Sequence, residues 1–167
     1  MERRKVWKIF LVWEMEKEEE WLNEMAMNGW LLDSVGFCNY TFVRCEPDTY
    51  TIRFEMRGTD PAYISLMEQS GAEYVGHVLR WVYWRRSNEY GPFDIFSDID
   101  SRIDNLTRVG RMLAVIGAMN IVIGLMNSVN SAGIGWINLL CGCLLMYALG
   151  RIHGKIEALN RERLLHE

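Results

Sequence analysis

From Met112 to Gly150 the chain has no Asp, Glu, Lys or Arg, although 24% of all its residues are charged. A block of that length without charge excludes an ordinary solvated helix surface, because a helix on a soluble domain keeps one polar face. A bilayer core needs roughly 20 apolar residues per helical crossing, and two stretches meet that demand, Val109 to Val129 and Ala132 to Gly150. The sequence therefore predicts a two-span transmembrane hairpin embedded in lipid. Arg102, Arg108 and Arg111 precede the first span and Arg151, Lys155, Arg161 and Arg163 follow the second, while the connecting NSVNSAG is neutral. Cations gather on the cytoplasmic side, so both termini are expected in the cytoplasm, with the protein in an inner membrane.

Catalytic patterns are absent too. There is no phosphate-binding glycine loop, no H-E-x-x-H, no G-x-S-x-G and no C-x-x-C pair. The three histidines, His77, His153 and His166, lie far apart in the chain. His77 in VGHVLRW could serve as a base, but a lone histidine beside a turn reads first as a satisfied surface residue. The run EMEKEEE could hold a cation, yet acids in the first turn of a helix are more simply a solvated surface that favours the helix dipole. No enzyme, no metal and no cofactor is expected. The net charge of -4 and pI near 5.5 argue against a nucleic-acid surface, which needs a basic face. The opening MERRKVWKIFLVWEMEKEEE does not read as a cleavable signal, since Lys8 and then acids break its apolar stretch. Cys38 and Cys45 would then lie in a reducing compartment without a disulfide, and Cys141 and Cys143 read as small apolar filler in the second span.

What is present before the spans is a folded domain. VWKIFLVW, Val6 to Trp13, reads as a strand. Trp21, Leu22, Met25 and Ala26 then form a helical stripe capped by Gly29. Two strands follow, from about Val35 to Cys45 and from Tyr50 to Arg57, the latter alternating Tyr50, Ile52, Phe54 and Met56 against Thr51, Arg53, Glu55 and Arg57. A second helix starts at Asp60-Pro61 and ends at Gly71, and YVGHVLRWVYWRR completes the set as a strand. This order predicts an α+β, ferredoxin-like βαββαβ cytosolic domain followed by the two-helix transmembrane hairpin. An offset of 42 positions lays Leu22 over Ile64, Met25 over Met67, Gly29 over Gly71, Phe42 over Trp84 and Arg44 over Arg86, which points to an internal repeat of two halves. The expected boundaries are residues 1–88 for the cytosolic domain, 89–108 for a juxtamembrane linker, 109–150 for the hairpin and 151–167 for a basic tail.

EEEWLNEMAMNGWLLDSVGFCNYTFVRCEPDTYTIRFEM, YISLMEQSGAEYVG, WVYWRR and IFSDIDSRI resemble a bacterial family known as domain-of-unknown-function family 2812. The resemblance covers about the first hundred residues, with EWLNEMAMNGW and G-F-x-x-Y-T-F carrying the core pattern. It implies a cytosolic module with spans behind it, often encoded beside PadR-type transcriptional regulators, and it brings no catalytic residues.

Two sets of residues are the candidates for function. Arg53, Arg57, Arg80, Trp81, Tyr83 and Trp84 combine arginine with large aromatics on an expected open sheet face, the composition that partner and ligand surfaces favour; the competing reading is plain core. Gly117, Asn120 and Gly124 in the first span and Gly135, Asn138 and Gly142 in the second repeat one spacing, so each set makes a packing stripe. With a turn near Asn130 the two asparagine amides are expected at one depth, bonded across the helices. The function expected is that of a membrane-anchored binding module with a regulatory role, sensing a ligand or sequestering a protein such as a PadR-type regulator, without direct nucleic-acid contact. The alternative is a small homo-oligomerising membrane subunit of a transporter or pore, assembled through the Gly/Asn stripe.

Overall fold

A computed structural model describes residues 2–96, 98–130 and 135–166. The chain forms two compact units, Met1–Ser97 and Asp98–Glu167. The first is α+β with eight elements in the order β1 (Arg3–Trp7), α1 (Met15–Met27), β2 (Trp30–Gly36), β3 (Asn39–Arg44), β4 (Tyr50–Met56), α2 (Pro61–Gln69), β5 (Ala72–Val78) and β6 (Trp81–Ser87). All pairings are antiparallel, and they make two three-stranded sheets, β1-β3-β2 and β4-β6-β5.

The expected ferredoxin-like βαββαβ sheet is thus corrected to two sheets with the order β-α-β-β repeated. Each run read as one long strand is a hairpin, broken at Phe37-Cys38 and at Leu79-Arg80. Neither turn carries the Asn-Gly or Asp-Gly composition that marks tight hairpins. Cys38 at φ 56° and Leu79 at φ 55° instead take the left-handed conformation without a glycine, so the apolar pattern runs through the turn unbroken. β1 is also displaced from the expected Val6–Trp13. It is an exposed edge strand rich in Arg and Lys, a composition that discourages further pairing at the edge but hides the strand from a hydrophobicity reading.

The repeat is physical. Gly29 (φ 79°) and Gly71 (φ 84°) end the two helices in the same left-handed cap, and each helix is followed by a bulged hairpin, with register shifts between Leu32 and Ser34 and between Tyr74 and Gly76. A Cβ on Gly29 would lie 3.1 Å from the Cys45 carbonyl, so both backbone and space demand glycine there. α2 starts as its sequence predicts, with Asp60 accepting from the Ala62 N–H and Pro61 in the first turn.

The two halves are not independent. The Asn23 side chain, on α1 of the first half, accepts from the Ile52 N–H at 2.8 Å and donates to the Ile52 carbonyl at 3.0 Å, closing part of the free edge of β4 in the second half. Arg85 on β6 donates to the Leu32 carbonyl of β2 at 2.9 Å. Leu22, Ala26, Trp30, Leu32, Tyr40, Phe42, Ile52, Phe54 and Tyr83 make one core from both halves. Ala72, Val82, Trp84 and Phe93 make a second, in which the segment after β6 folds back so that Phe93 is buried and Arg86 donates to the Gly91 and Pro92 carbonyls.

The second unit is a pair of helices, α3 (Ile99–Asn130) and α4 (Gly135–His166). Both are long and apolar enough to cross a membrane, which suggests membrane association. Val115, Met119, Val122, Leu125, Leu140 and Leu144 are exposed, as side chains facing lipid would be. At 32 residues each the helices run roughly 48 Å, longer than a bilayer core of about 30 Å. The excess is the charged end, where Arg163 on α4 pairs with Asp100 on α3 at 2.8 Å. The turn was expected near Asn130; α3 runs through Asn130, and the connecting residues 131–134 lie outside the described residues.

Candidate functional site

Among the described residues two carboxylates are buried in the first unit: Glu55 on β4, which accepts from the Tyr63 hydroxyl, and Glu18, which is bonded across the core shared by both halves. α1 turns Glu18, Leu22 and Ala26 inward along one i, i+4 stripe, and Glu18 is only 8% exposed. Tyr40 on β3 donates to Glu18 Oε1 at 2.8 Å and Tyr83 on β6 donates to the same oxygen at 2.7 Å. One tyrosine comes from the central strand of each sheet, so Glu18 joins the two halves. Burial pushes the Glu18 carboxyl above its usual range, with the hydrogen bonds from Tyr83 and then Tyr40 opposing that rise. Both phenols are raised, first by burial and then by the negative charge of Glu18.

Glu18 lies against a cleft of 170 Å³ bounded by Lys8, Phe10, Leu11, Val12 and Met15 from the chain leading into α1, by the tips of both hairpins at Phe37-Cys38 and Val78-Leu79, and by Tyr40, Phe54, Trp81 and Tyr83. Part of the wall is aromatic and interlocked. Phe54 stacks on Tyr83 at 4.9 Å and meets Trp81 edge-on at 5.7 Å, while Tyr40 packs edge-on against Trp21 at 5.1 Å and against Phe10 at 6.4 Å. Among the described residues, Lys8 and Glu18 are the only formally charged groups lining the cleft. Lys8 does not ion-pair with Glu18; its ammonium lies 4.3 Å from the Trp21 ring centre and 4.9 Å from that of Phe10. At the mouth, Phe37 and Leu79 are strongly exposed.

The residues predicted from the sequence are not one surface. Trp81 and Tyr83 share a face of β6 and line the cleft, while Trp84 points the other way and is sealed in the second core. Arg80 is exposed in the turn beside Trp81. Arg53 pairs with Glu19 at 3.4 Å, and the Arg57 guanidinium lies 3.7 Å from the centre of the Tyr63 ring, both outside the cleft lining. Glu18, set aside in the sequence as part of a solvated first turn, is the residue that reasoning missed. Its spacing to Leu22 and Ala26 carried the signal, because a side chain four and eight residues before two core positions shares their face.

In the helical unit the glycines do line the contact between α3 and α4. A Cβ on Gly124 would lie 2.9 Å from the Leu139 nitrogen, one on Gly142 2.6 Å from Ile121 Cγ1, one on Gly117 3.3 Å from Leu145 Cβ, and one on Gly135 2.6 Å from the Gly124 carbonyl. The amides behave otherwise. Asn120 donates to the Ile116 carbonyl of its own helix at 2.9 Å, and no bond joins it to Asn138 among the described residues. The register explains why: with Gly124 opposite Leu139 and Gly142 opposite Ile121, the asparagines are offset by about 7 Å along the axis, at 1.5 Å per residue.

No curated protein and no solved structure matches the chain. The family described as "Protein of unknown function (DUF2812)" matches residues 14–118, from the residue before α1 well into α3, and the chain belongs to that family.

Proposed function

We propose that this chain is a membrane-anchored ligand-sensing module: the α+β unit, on the cytoplasmic side of a bacterial inner membrane, takes a small molecule into the Glu18 cleft and signals its occupancy to a regulatory protein partner. The cleft carries this reading. A carboxylate held between two halves of a fold, beside open space and under a ring of aromatic side chains, is costly to maintain unless it meets something. The two turns in the left-handed conformation, Cys38 and Leu79, lie at the same mouth, and strained backbone of this kind concentrates at working sites. A PadR-type transcriptional regulator is the partner proposed, reading the exposed Phe37 and Leu79 tips. Cations at the charged ends of α3 and α4 support cytoplasmic termini.

The oligomeric pore or transporter subunit is the weaker reading, because the glycine stripe is already occupied by the contact between α3 and α4 of one chain.

The test is recovery of small molecules from the full-length protein purified out of its native membranes, beside the cleft-filling variant Val12→Trp. Mass spectrometry of the extract should find a compound retained by the native chain and lost from the variant. Equal yields of every compound from both would overturn the proposal.

A further inference from the structure

The cleft also specifies what it would hold. Phe10, Phe37, Tyr40, Phe54, Trp81 and Tyr83 bring six aromatic rings to the lining, and ring faces attract cations through their quadrupole. Glu18 adds one formal negative charge. Both phenols spend their hydrogens on Oε1, so among the described residues no side chain donates to Oε2. The carboxylate therefore lacks the cationic partner that buried charges ordinarily have. Lys8 demonstrates what the neighbouring rings accept: its ammonium stacks on Phe10 and Trp21 instead of reaching Glu18. A volume of 170 Å³ corresponds to roughly a dozen water-sized positions, which limits the occupant to about a dozen heavy atoms.

We propose that the cleft binds a small organic cation, an ammonium group carrying an aromatic or branched apolar substituent, with the positive charge against Glu18 and the substituent among Tyr40, Phe54, Trp81 and Tyr83. This rests on the ligand-sensing reading and narrows it to one chemical class. An anion would meet a carboxylate that has no cationic partner, and a neutral molecule without a hydrogen-bond donor would leave that carboxylate as poorly solvated as before. The cation supplies the missing charge and exchanges its own water for ring faces. Lys8, on its flexible stem at the rim, moves aside or remains on Trp21; as a like charge it weakens binding, so its removal should tighten the complex.

The probes are benzyltrimethylammonium, its uncharged carbon isostere neopentylbenzene, and 3-phenylpropionate, titrated into the full-length protein in an uncharged maltoside detergent. Tryptophan fluorescence and calorimetry are the readouts. The ammonium probe should bind at least about tenfold more tightly than the isostere, the scale of a desolvated cation on rings plus a charge pair. Glu18→Gln keeps the acceptor for both tyrosines, yet it should lose most of that preference; Lys8→Ala should tighten the ammonium complex. A role for Glu18 in holding the fold alone would leave the preference between probes unchanged. Ammonium binding that is equal in Glu18→Gln, or weaker than that of phenylpropionate, overturns the proposal. Binding of the neutral or anionic probe alone, blocked by Val12→Trp, overturns the cation but keeps the ligand-sensing module. No saturable binding of any probe overturns the cation, and retained compounds from native membranes then decide the broader reading separately.

Discussion

Trp84 in the α+β unit is 0% exposed, whereas Trp136 at the start of α4 is 60% exposed, and the contrast runs through both units. In the first, the core is sealed by bulky apolar side chains, and Glu18, one of two buried carboxylates among the described residues, is bonded on one oxygen and faces a cleft. In the second, many bulky apolar side chains stand outside and glycines occupy much of the contact, while Leu106, Val109, Leu113 and Ile152 are buried toward its charged end. The difference teaches that hydrophobicity drives assembly only where water is the alternative. Between two long apolar helices, close approach does much of that work, and the small residue becomes structural.

Truncation to alanine should separate the units most strongly. Trp84→Ala is expected to cost about 3–5 kcal/mol, as large aromatic truncations in cores do, while Trp136→Ala should stay within about 0.5 kcal/mol. Denaturant unfolding of the full chain in neutral detergent measures both, and similar losses would break the comparison. Enlargement should reverse the ranking. Gly124→Leu forces a side chain against the Leu139 backbone and should cost about 1–3 kcal/mol, with the helices driven apart in a disulfide-trapping assay; Leu125→Ala, one residue on and exposed, should trap as the native chain does.

Asn23→Ala sharpens the account inside the first unit. It leaves the Ile52 N–H without its partner, while the Ile52 carbonyl keeps the bond from Arg53, and should cost about 1–3 kcal/mol, with faster amide exchange confined to β4. The smallest effect is on pH dependence and has a definite sign. The carboxyl of Glu18 is raised by burial, so its contribution to stability is present below the usual carboxylate range and lost as pH rises through the raised value. Glu18→Gln should therefore melt with the native chain in acid and above it at neutral pH. A variant less stable at neutral pH would contradict the burial argument.

Much of this fold was legible. α2 begins and ends where Asp60-Pro61 and Gly71 say, β4 falls within the alternation from Tyr50 to Arg57, and the uncharged block forms the helix pair. The hairpin turns were not, because Cys38 and Leu79 adopt their conformation against their own preference, held by the surrounding sheet. β1 escaped because an edge strand needs no apolar face. Of the site, Trp81 and Tyr83 were anticipated as aromatics at strand spacing, but their joining to Glu18 was not. Glu18 on α1, Tyr40 on β3 and Tyr83 on β6 meet only through the packing of α1 against both halves, a long-range arrangement that local periodicity does not encode. The asparagines misled for a related reason: equal spacing within each helix does not fix the register between them.

The most direct measurement is a carboxyl NMR titration of Glu18 in the full-length protein, with and without benzyltrimethylammonium. The account predicts a carboxyl that titrates above the usual range when the cleft is free and that shifts downward when the cation binds. A carboxyl titrating in the ordinary range, or one indifferent to the cation, would contradict it.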